Sequence, residues 1–403
     1  MIKFAYRKNL IYILQLIIWN LIRKIEKTII SKGLGFGASS IFTLLMFLGD
    51  FIFGLIIYLY QLQFLKKNKD EPSKFMSITL LHKENELVPP DSKLKIYTLL
   101  FFASFFDFIE FTLSIYTLQK FVKVSPSLQS RLSGILTISS ALFFYYVLKL
   151  QIFRHQFFSL LIIGGCLLII ITTEFFFQMY IFVTISEFIL SLVFIFFLHF
   201  FNSLLDSIEK YLFEYDYMNP FQTLMWEGIF GSAFSLIYYF AQDNPLKDLR
   251  RFKNMKEHEG NYWHFGFLFF LLFLYIILCG GRNTFRVVTN KIYSPMAKTL
   301  TDYILNPFYL IYDFILGDDF FNKRKPITNL YFSLNLILSF IISICGCVYN
   351  EFIVIFCCEL DHETHYQLSK RATIYVEGSS DNSEKNSSEN DESYSSSESP
   401  PYE

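Results

Sequence analysis

The chain has 403 residues, of which 53 % are hydrophobic, 20 % aromatic and only 18 % charged, with a formal net charge of −1. That balance argues against a nucleic-acid binder, which needs a concentrated basic face, and six Cys without paired loop spacing make no disulfide framework. Mean hydropathy is +0.37, above what a soluble domain of this size ordinarily shows, and the chain reads as an all-α polytopic membrane protein.

A helix that spans a bilayer needs roughly 20 mostly apolar residues, so spans are read by length and flanking charge. The first, Asn9 to Ile22 between Arg7-Lys8 and Arg23-Lys24, is short, and an interfacial amphipathic helix is the alternative. Stronger spans are predicted over 37–62, 96–119, 130–150, 156–174, 183–205, 220–240, 262–281, 296–316 and 329–357. The loop over 65–95 is Lys-rich and carries the turn pair Pro89-Pro90. From Glu377 to Glu403 Ser alternates with acids, a composition that buries too little apolar surface to offset its ordering entropy.

Ten spans divide into two fives, and the halves echo one another. "MFLGDFIFG" at Met46–Gly54 and "MWEGIFG" at Met225–Gly231 each place an acid among small residues early in a span. "SPSLQSRLSG" from Ser125 and "SPMAKTLTDY" from Ser294 each open a span with Ser-Pro and bring in a charge soon after. Together they predict a duplicated, inverted-repeat architecture. The division is a first five-helix repeat over 1–174, a second over 175–358, and an acidic Ser-rich tail over 359–403.

With "FFASFFDFIEFTLSIYTL" (101–118), "EKYLFEYDYMNPFQTLMWEGIFG" (209–231) and "GCVYNE" (346–351), these segments make the chain resemble the drug/metabolite transporter superfamily. It is most similar there to the solute carrier 35 group of nucleotide-sugar-transporter-like proteins with EamA-like repeats. The resemblance implies about ten transmembrane helices as two inverted five-helix repeats, both termini cytosolic, and a solute carrier of an endomembrane. One departure is span nine, where "DYILNPFYLIY" has Asn306-Pro307 and no base after its acid.

Polar residues inside spans are the candidate site. A carboxylate at mid-membrane costs about 2.5–3.5 kcal/mol on the translocon scale, so it is retained for a reason. Asp107 and Glu110, three apart, share a helix face. They read as a cavity wall that binds a cationic group or a coupling proton, or as helix glue to a neighbouring hydroxyl. Glu227 and Asp302, about two turns into their spans, are candidate substrate or proton sites, and Asp50 a structural or gating group.

Arg131 reads as a partner for an anionic solute or for Asp107, or as a side chain snorkelling to the interface. His199 and Asn202 could line a cavity, whereas Asp206 and Glu209, further down the same stripe, are expected to face solvent. Asn219-Pro220 is helix-entry chemistry, Pro307 a kink, and Cys357-Cys358 either palmitoylation sites or interfacial thiols. With one strong intramembrane cation and at least four acids in view, the charge balance leans towards a neutral or cationic solute.

No zinc spacing, P-loop, dinucleotide turn or nucleophile elbow occurs, so neither a metal, a cofactor nor an enzyme activity is predicted. The expected function is transport of a small polar organic solute by alternating access, with a proton as candidate coupling ion. The alternative is a non-transporting scaffold or receptor on the same fold. Expected partners are the lipid bilayer, the solute, a second copy of the chain and, for the tail, cytosolic proteins.

Overall fold

The structure is a computed structural model that describes residues 2–4, 10–30, 34, 36, 39–67, 92–120, 128–147, 151–180, 185–216, 218–241, 250, 253–254, 263–292, 295–316, 326–355 and 364. Ten helices of thirteen residues or more dominate it: α1 (Leu10–Thr28), α2 (Ser39–Lys67), α3 (Lys93–Lys120), α4 (Gly134–Tyr146), α5 (Arg154–Tyr180), α6 (Ile185–Glu214), α7 (Pro220–Ala241), α8 (Trp263–Ile292), α9 (Pro295–Leu316) and α10 (Pro326–Tyr349). Each predicted span finds one of them. Helices α2, α3, α5, α6, α8 and α10 are long and apolar enough to cross a membrane. The interior carries charge, with Asp50, Glu174, Asp206, Glu209 and Glu227 fully buried, while Phe157, Leu161, Leu168, Phe176, Phe269 and Phe273 lie on the outside. Apolar exterior around charged interior is the arrangement a lipid solvent selects.

The span ends depart from expectation in two instructive places. The fourth span does not begin as one helix at 130: a single turn, Leu128–Arg131, precedes α4, with the break at Leu132-Ser133. The last helix stops at Tyr349 rather than 357. Glu351 there adopts a left-handed backbone, φ 57°, which turns the chain out of α10. It leads into a short strand, β2 (Ile353–Ile355), which pairs antiparallel with β1 (Ile2–Phe4), Ile2 opposite Ile355 and Phe4 opposite Ile353. The stretch before α1 and the stretch after α10 therefore meet at one end of the bundle. Cys357, Cys358 and the acidic tail lie outside the described residues, as does 68–91 of the predicted loop.

Helix α2 occupies the middle, packed on α7 and α8; α3 packs on α6 and α7, α1 on α8 and α9, α4 on α6 and α5, and α10 on α5 and α9. Glycine permits the closest crossings. A Cβ on Gly54 would lie 2.6 Å from the Met225 backbone nitrogen, and one on Gly280 2.6 Å from the Gly49 carbonyl. Gly228 likewise meets Phe51, and Gly231 meets Phe47. The two echoing segments, Met46–Gly54 and Met225–Gly231, thus face each other across the centre of the bundle. Small residues at such contacts let backbones approach where lipid supplies no hydrophobic drive between helices.

Candidate functional site

Helix α8 continues to Ile292, past the predicted end at 281, and this extension builds the site. Arg282, Asn283, Arg286 and Asn290 recur at three and four residues, so Asn283, Arg286 and Asn290 turn one face to the bundle. Arg286 spreads its fork between two helices. Its Nη1 is 2.9 Å from Oε1 of Glu209 on α6, and its Nη2 donates to Oε2 of Glu227 on α7 at 2.9 Å. Asn290 donates to the other Glu209 oxygen at 2.6 Å. Asn283 donates to both oxygens of Asp50 on α2, at 2.8 and 2.9 Å.

Asp107 on α3 completes this neighbourhood: its charge acts on Asp50, Glu110, Glu227 and Arg286. It is 6 % exposed, and its Oδ2 has no hydrogen-bond partner among the described residues. Four carboxylates, Asp50, Asp107, Glu209 and Glu227, therefore surround one guanidinium.

A second ion pair adjoins the first. Lys298, in the opening turns of α9, donates to Asp206 at 2.7 Å and to Asn202 at 2.9 Å, both on α6. Asp206 and Glu209 are fully buried, which corrects the expectation that they face solvent. Helix α6 runs its polar stripe between α8 and α9 rather than out of the bundle, so the stripe meets Arg286 and Lys298. Lys298 lies one turn before Asp302, and no base follows that acid within the span.

Beside these sealed pairs lies a wetter group. Arg23 and Lys27 of α1, Glu110 of α3, Arg282 of α8 and Asp302 of α9 sit deep among the helices yet keep partial solvent access. Asp302 accepts a 3.4 Å hydrogen bond from Asn20. The Lys24 ammonium lies 3.0 Å from the Tyr309 ring centre, a cation–π contact that positions α1 on α9. With Arg23, Lys27, Arg282, Arg286 and Lys298 added to Arg131, the premise of a single interior cation fails. The lean towards a neutral or cationic solute goes with it.

Arg131 stands apart. It is 1 % exposed and donates to Asn335 at 2.6 Å, Glu174 at 2.9 Å and the Tyr331 hydroxyl at 2.9 Å. Tyr331 also hydrogen-bonds Glu174 and stacks on Phe177 with ring centres 4.0 Å apart. Arg131 pairs with Glu174 rather than Asp107 and does not snorkel to the interface; Glu174 is a residue the sequence did not single out. His199 leaves the central cluster too: its Nε2 is 3.1 Å from the Gln129 carbonyl. Pro307 is buried within α9, which runs through it to Leu316.

The two arginine sites lie at opposite ends of the bundle. Gly346, near the end of α10, packs on Leu300 and Tyr303 in the early turns of α9, which places Lys298 and the Arg286 cluster on the side of the β1–β2 pair. The Arg131 knot is built with Tyr331 and Asn335 from the early turns of α10, hence on the other side. No family model matches this sequence, and no curated protein matches it, so the functional reading rests on this geometry.

Proposed function

We propose that the chain is a membrane transporter that moves a small polar organic solute by alternating access, on a fold of the drug/metabolite transporter kind. The observation that carries this reading is a set of partly exposed charged side chains among the helices, Arg23, Lys27, Glu110, Arg282 and Asp302, contributed by both halves of the chain. Packed cores exclude such groups and lipid-facing surfaces reject them; a solute path needs them.

The packing pattern supports the repeat. Adding five to each helix number carries the α3–α6 contact onto α8–α1, α2–α8 onto α7–α3, α4–α6 onto α9–α1 and α4–α5 onto α9–α10. The α2–α7 and α5–α10 contacts map onto themselves. Five is odd, so a repeat of five crossings inverts the second half relative to the first. The β1–β2 pair, which joins the two ends of the helical region, suits the even number of crossings that ten spans give. In this reading the buried ion pairs of Arg286 and Lys298 act as the closed end of the path. Endomembrane residence with cytosolic termini belongs to this reading through the resemblance.

The test is a thermal-shift screen of the purified full chain against nucleotide sugars, amines, amino acids and nucleosides. A solute at a hundredfold excess over its dissociation constant stabilises the folded state by about 2.7 kcal/mol. A hit that Arg282→Gln abolishes, followed by flux in liposomes, sustains the proposal. A solute bound but never moved, with a phenotype that tracks deletion of 377–403, turns the reading towards the scaffold.

A further inference from the structure

The charged groups near the centre of the bundle divide into those that hold an opposite charge and those that do not. Arg286 is bound to Glu209 and Glu227, and Lys298 to Asp206. Arg23, Lys27, Glu110, Arg282 and Asp302 are near enough to act on one another electrostatically. Yet among the described residues none of these five makes an ion pair within 4.0 Å.

What they hold instead is weak or neutral. Arg23 meets the Cys279 sulfur, and Lys27 lies 5.4 Å from the centre of the Phe111 ring. Arg282 donates to its chain neighbour Asn283 at 2.6 Å and leaves its Nε unpartnered. Asp302 accepts one 3.4 Å hydrogen bond, from Asn20. One turn further along the same face of α9, Asn306 is 2 % exposed. Its amide nitrogen donates to Ser133 at 3.3 Å, and its Oδ1 has no donor. Opposite charges attract strongly in a low-dielectric interior, and Arg286 and Lys298 have closed onto their acids. Groups of both signs that stay apart beside them carry a desolvation cost that nothing in the protein offsets. A ligand that brings both missing charges offsets it.

We propose that these residues bind a small zwitterion, a solute with a carboxylate and an ammonium group such as an α-amino acid. That this solute is also the one carried rests on the transport reading. Arg23 of α1 and Arg282 of α8, whose like charges act on one another, receive the carboxylate, which suits guanidinium forks. Asp302 and the unpartnered Asn306 oxygen, both on α9, receive the ammonium. Lys27 and Glu110 add one charge of each sign beside them.

Solutes of one sign fit worse. An anion alone is repelled by Glu110 and Asp302, and a cation alone by Arg23, Lys27 and Arg282. An uncharged polar solute leaves all five without a counter-charge. A zwitterion answers both signs and adds no net charge to a region that also holds Lys24, Glu26, Asp50 and Asp107.

The test is thermal stabilisation of the purified full chain in maltoside micelles by the common amino acids. Each one that shifts the midpoint is compared with the amine lacking its carboxyl and the acid lacking its amino group. Both truncated solutes should bind about tenfold to a hundredfold more weakly, the scale of one lost hydrogen bond to a charged group. Arg282→Gln should weaken the amino acid and leave the amine unchanged. Asp302→Asn should weaken the amino acid and leave the deaminated acid unchanged. Glu187→Gln, at an exposed position opening α6, should alter none of the three. Where a variant does not fold, Arg282→Lys and Asp302→Glu keep the sign of the charge and should each still weaken the amino acid.

A deaminated acid as potent as its parent makes this an anion site and overturns the proposal; an equally potent amine makes it a cation site and does the same. No shift with any amino acid overturns it too, and a nucleotide sugar that then binds and is carried leaves the transport reading standing. An amino acid that binds with the expected variant pattern but never enters liposomes keeps the site and removes the carrier.

Discussion

Among the described residues Arg131 and Arg286 are the arginines almost wholly buried, and their surroundings differ in one respect that matters. Arg131 meets one carboxylate, Glu174, and also donates to Tyr331 and Asn335. The two charges pair one to one, and the group joins the turn before α4 to α5 and α10. Arg286 meets Glu209 and Glu227 directly, with Asp50 and Asp107 in its field. Its acids outnumber the one guanidinium they contact, with Arg282 and Lys298 close by, and the groups belong to α2, α3, α6, α7 and α8. A neutral, satisfied knot has one low-energy arrangement and holds helices still. An unbalanced cluster has several arrangements, separated by the arrival or departure of a charge. The first serves as a structural tie, and the second is where ligand binding can do mechanical work.

The contrast is breakable by substitution. The largest effect is expected at the knot: Glu174→Ala strands the Arg131 guanidinium and should cost about 3–5 kcal/mol, read by thermal or denaturant unfolding of the purified chain. Replacing both partners at once, Arg131→Leu with Glu174→Leu, should recover most of that loss, because an apolar pair of similar volume leaves no orphaned charge. If the double variant is no better than the single one, the knot does more than tie helices.

At the other arginine, Arg286→Lys keeps the charge but loses the fork that reaches Glu209 and Glu227 together. Its expected cost is about 1.5–3 kcal/mol in stability, the scale of a hydrogen bond to a charged group, with loss of solute binding or flux well beyond what that destabilisation explains. The same change at the knot, Arg131→Lys, should lower stability while leaving affinity in the folded fraction unchanged.

A Gly54→Ala substitution pushes α2 from α7, because the new Cβ meets Met225 backbone at 2.6 Å. Overpacking of this kind costs about 1–3 kcal/mol. It should weaken function through Asp50 and Glu227 while the Arg131 knot, remote from α2, stays formed. The smallest effect on stability belongs to Asp107→Asn, below about 1 kcal/mol, since an acid with an unpartnered oxygen loses little when it becomes neutral. Its effect should fall on function. A large stability loss there would mean that Asp107 is helix glue, as the knot is.

Much of the site was legible in the sequence, but not its wiring. Asp50, Asp107, Glu110, Glu227 and Asp302 stood out because an acid inside an apolar run is anomalous wherever the run packs. Arg282 and Arg286 did not, because charges that follow an apolar run look like the flank of a span, and only the continuation of α8 to Ile292 brings them inside. Glu174 was overlooked for the same local reason: it closes a predicted span and reads as its polar end. Asp206 and Glu209 belong to a stripe that widens along α6, the pattern of a helix emerging into water. Nothing within α6 announces that α8 and α9 cover it.

By itself the sequence determined the rough bounds of the helices and their apolar character, and it marked the Met46–Gly54 and Met225–Gly231 segments as echoes of one another. Those features depend on hydrophobic length and on small residues, which act over one helix at a time. Tertiary structure alone decided which acid meets which base, which end of α10 joins the first strand, and that one buried arginine pairs with a single acid while the other bridges two. Ion pairs join residues far apart in the chain, Arg131 to Asn335 or Asp50 to Asn283, and their partners are chosen by the packing of whole helices.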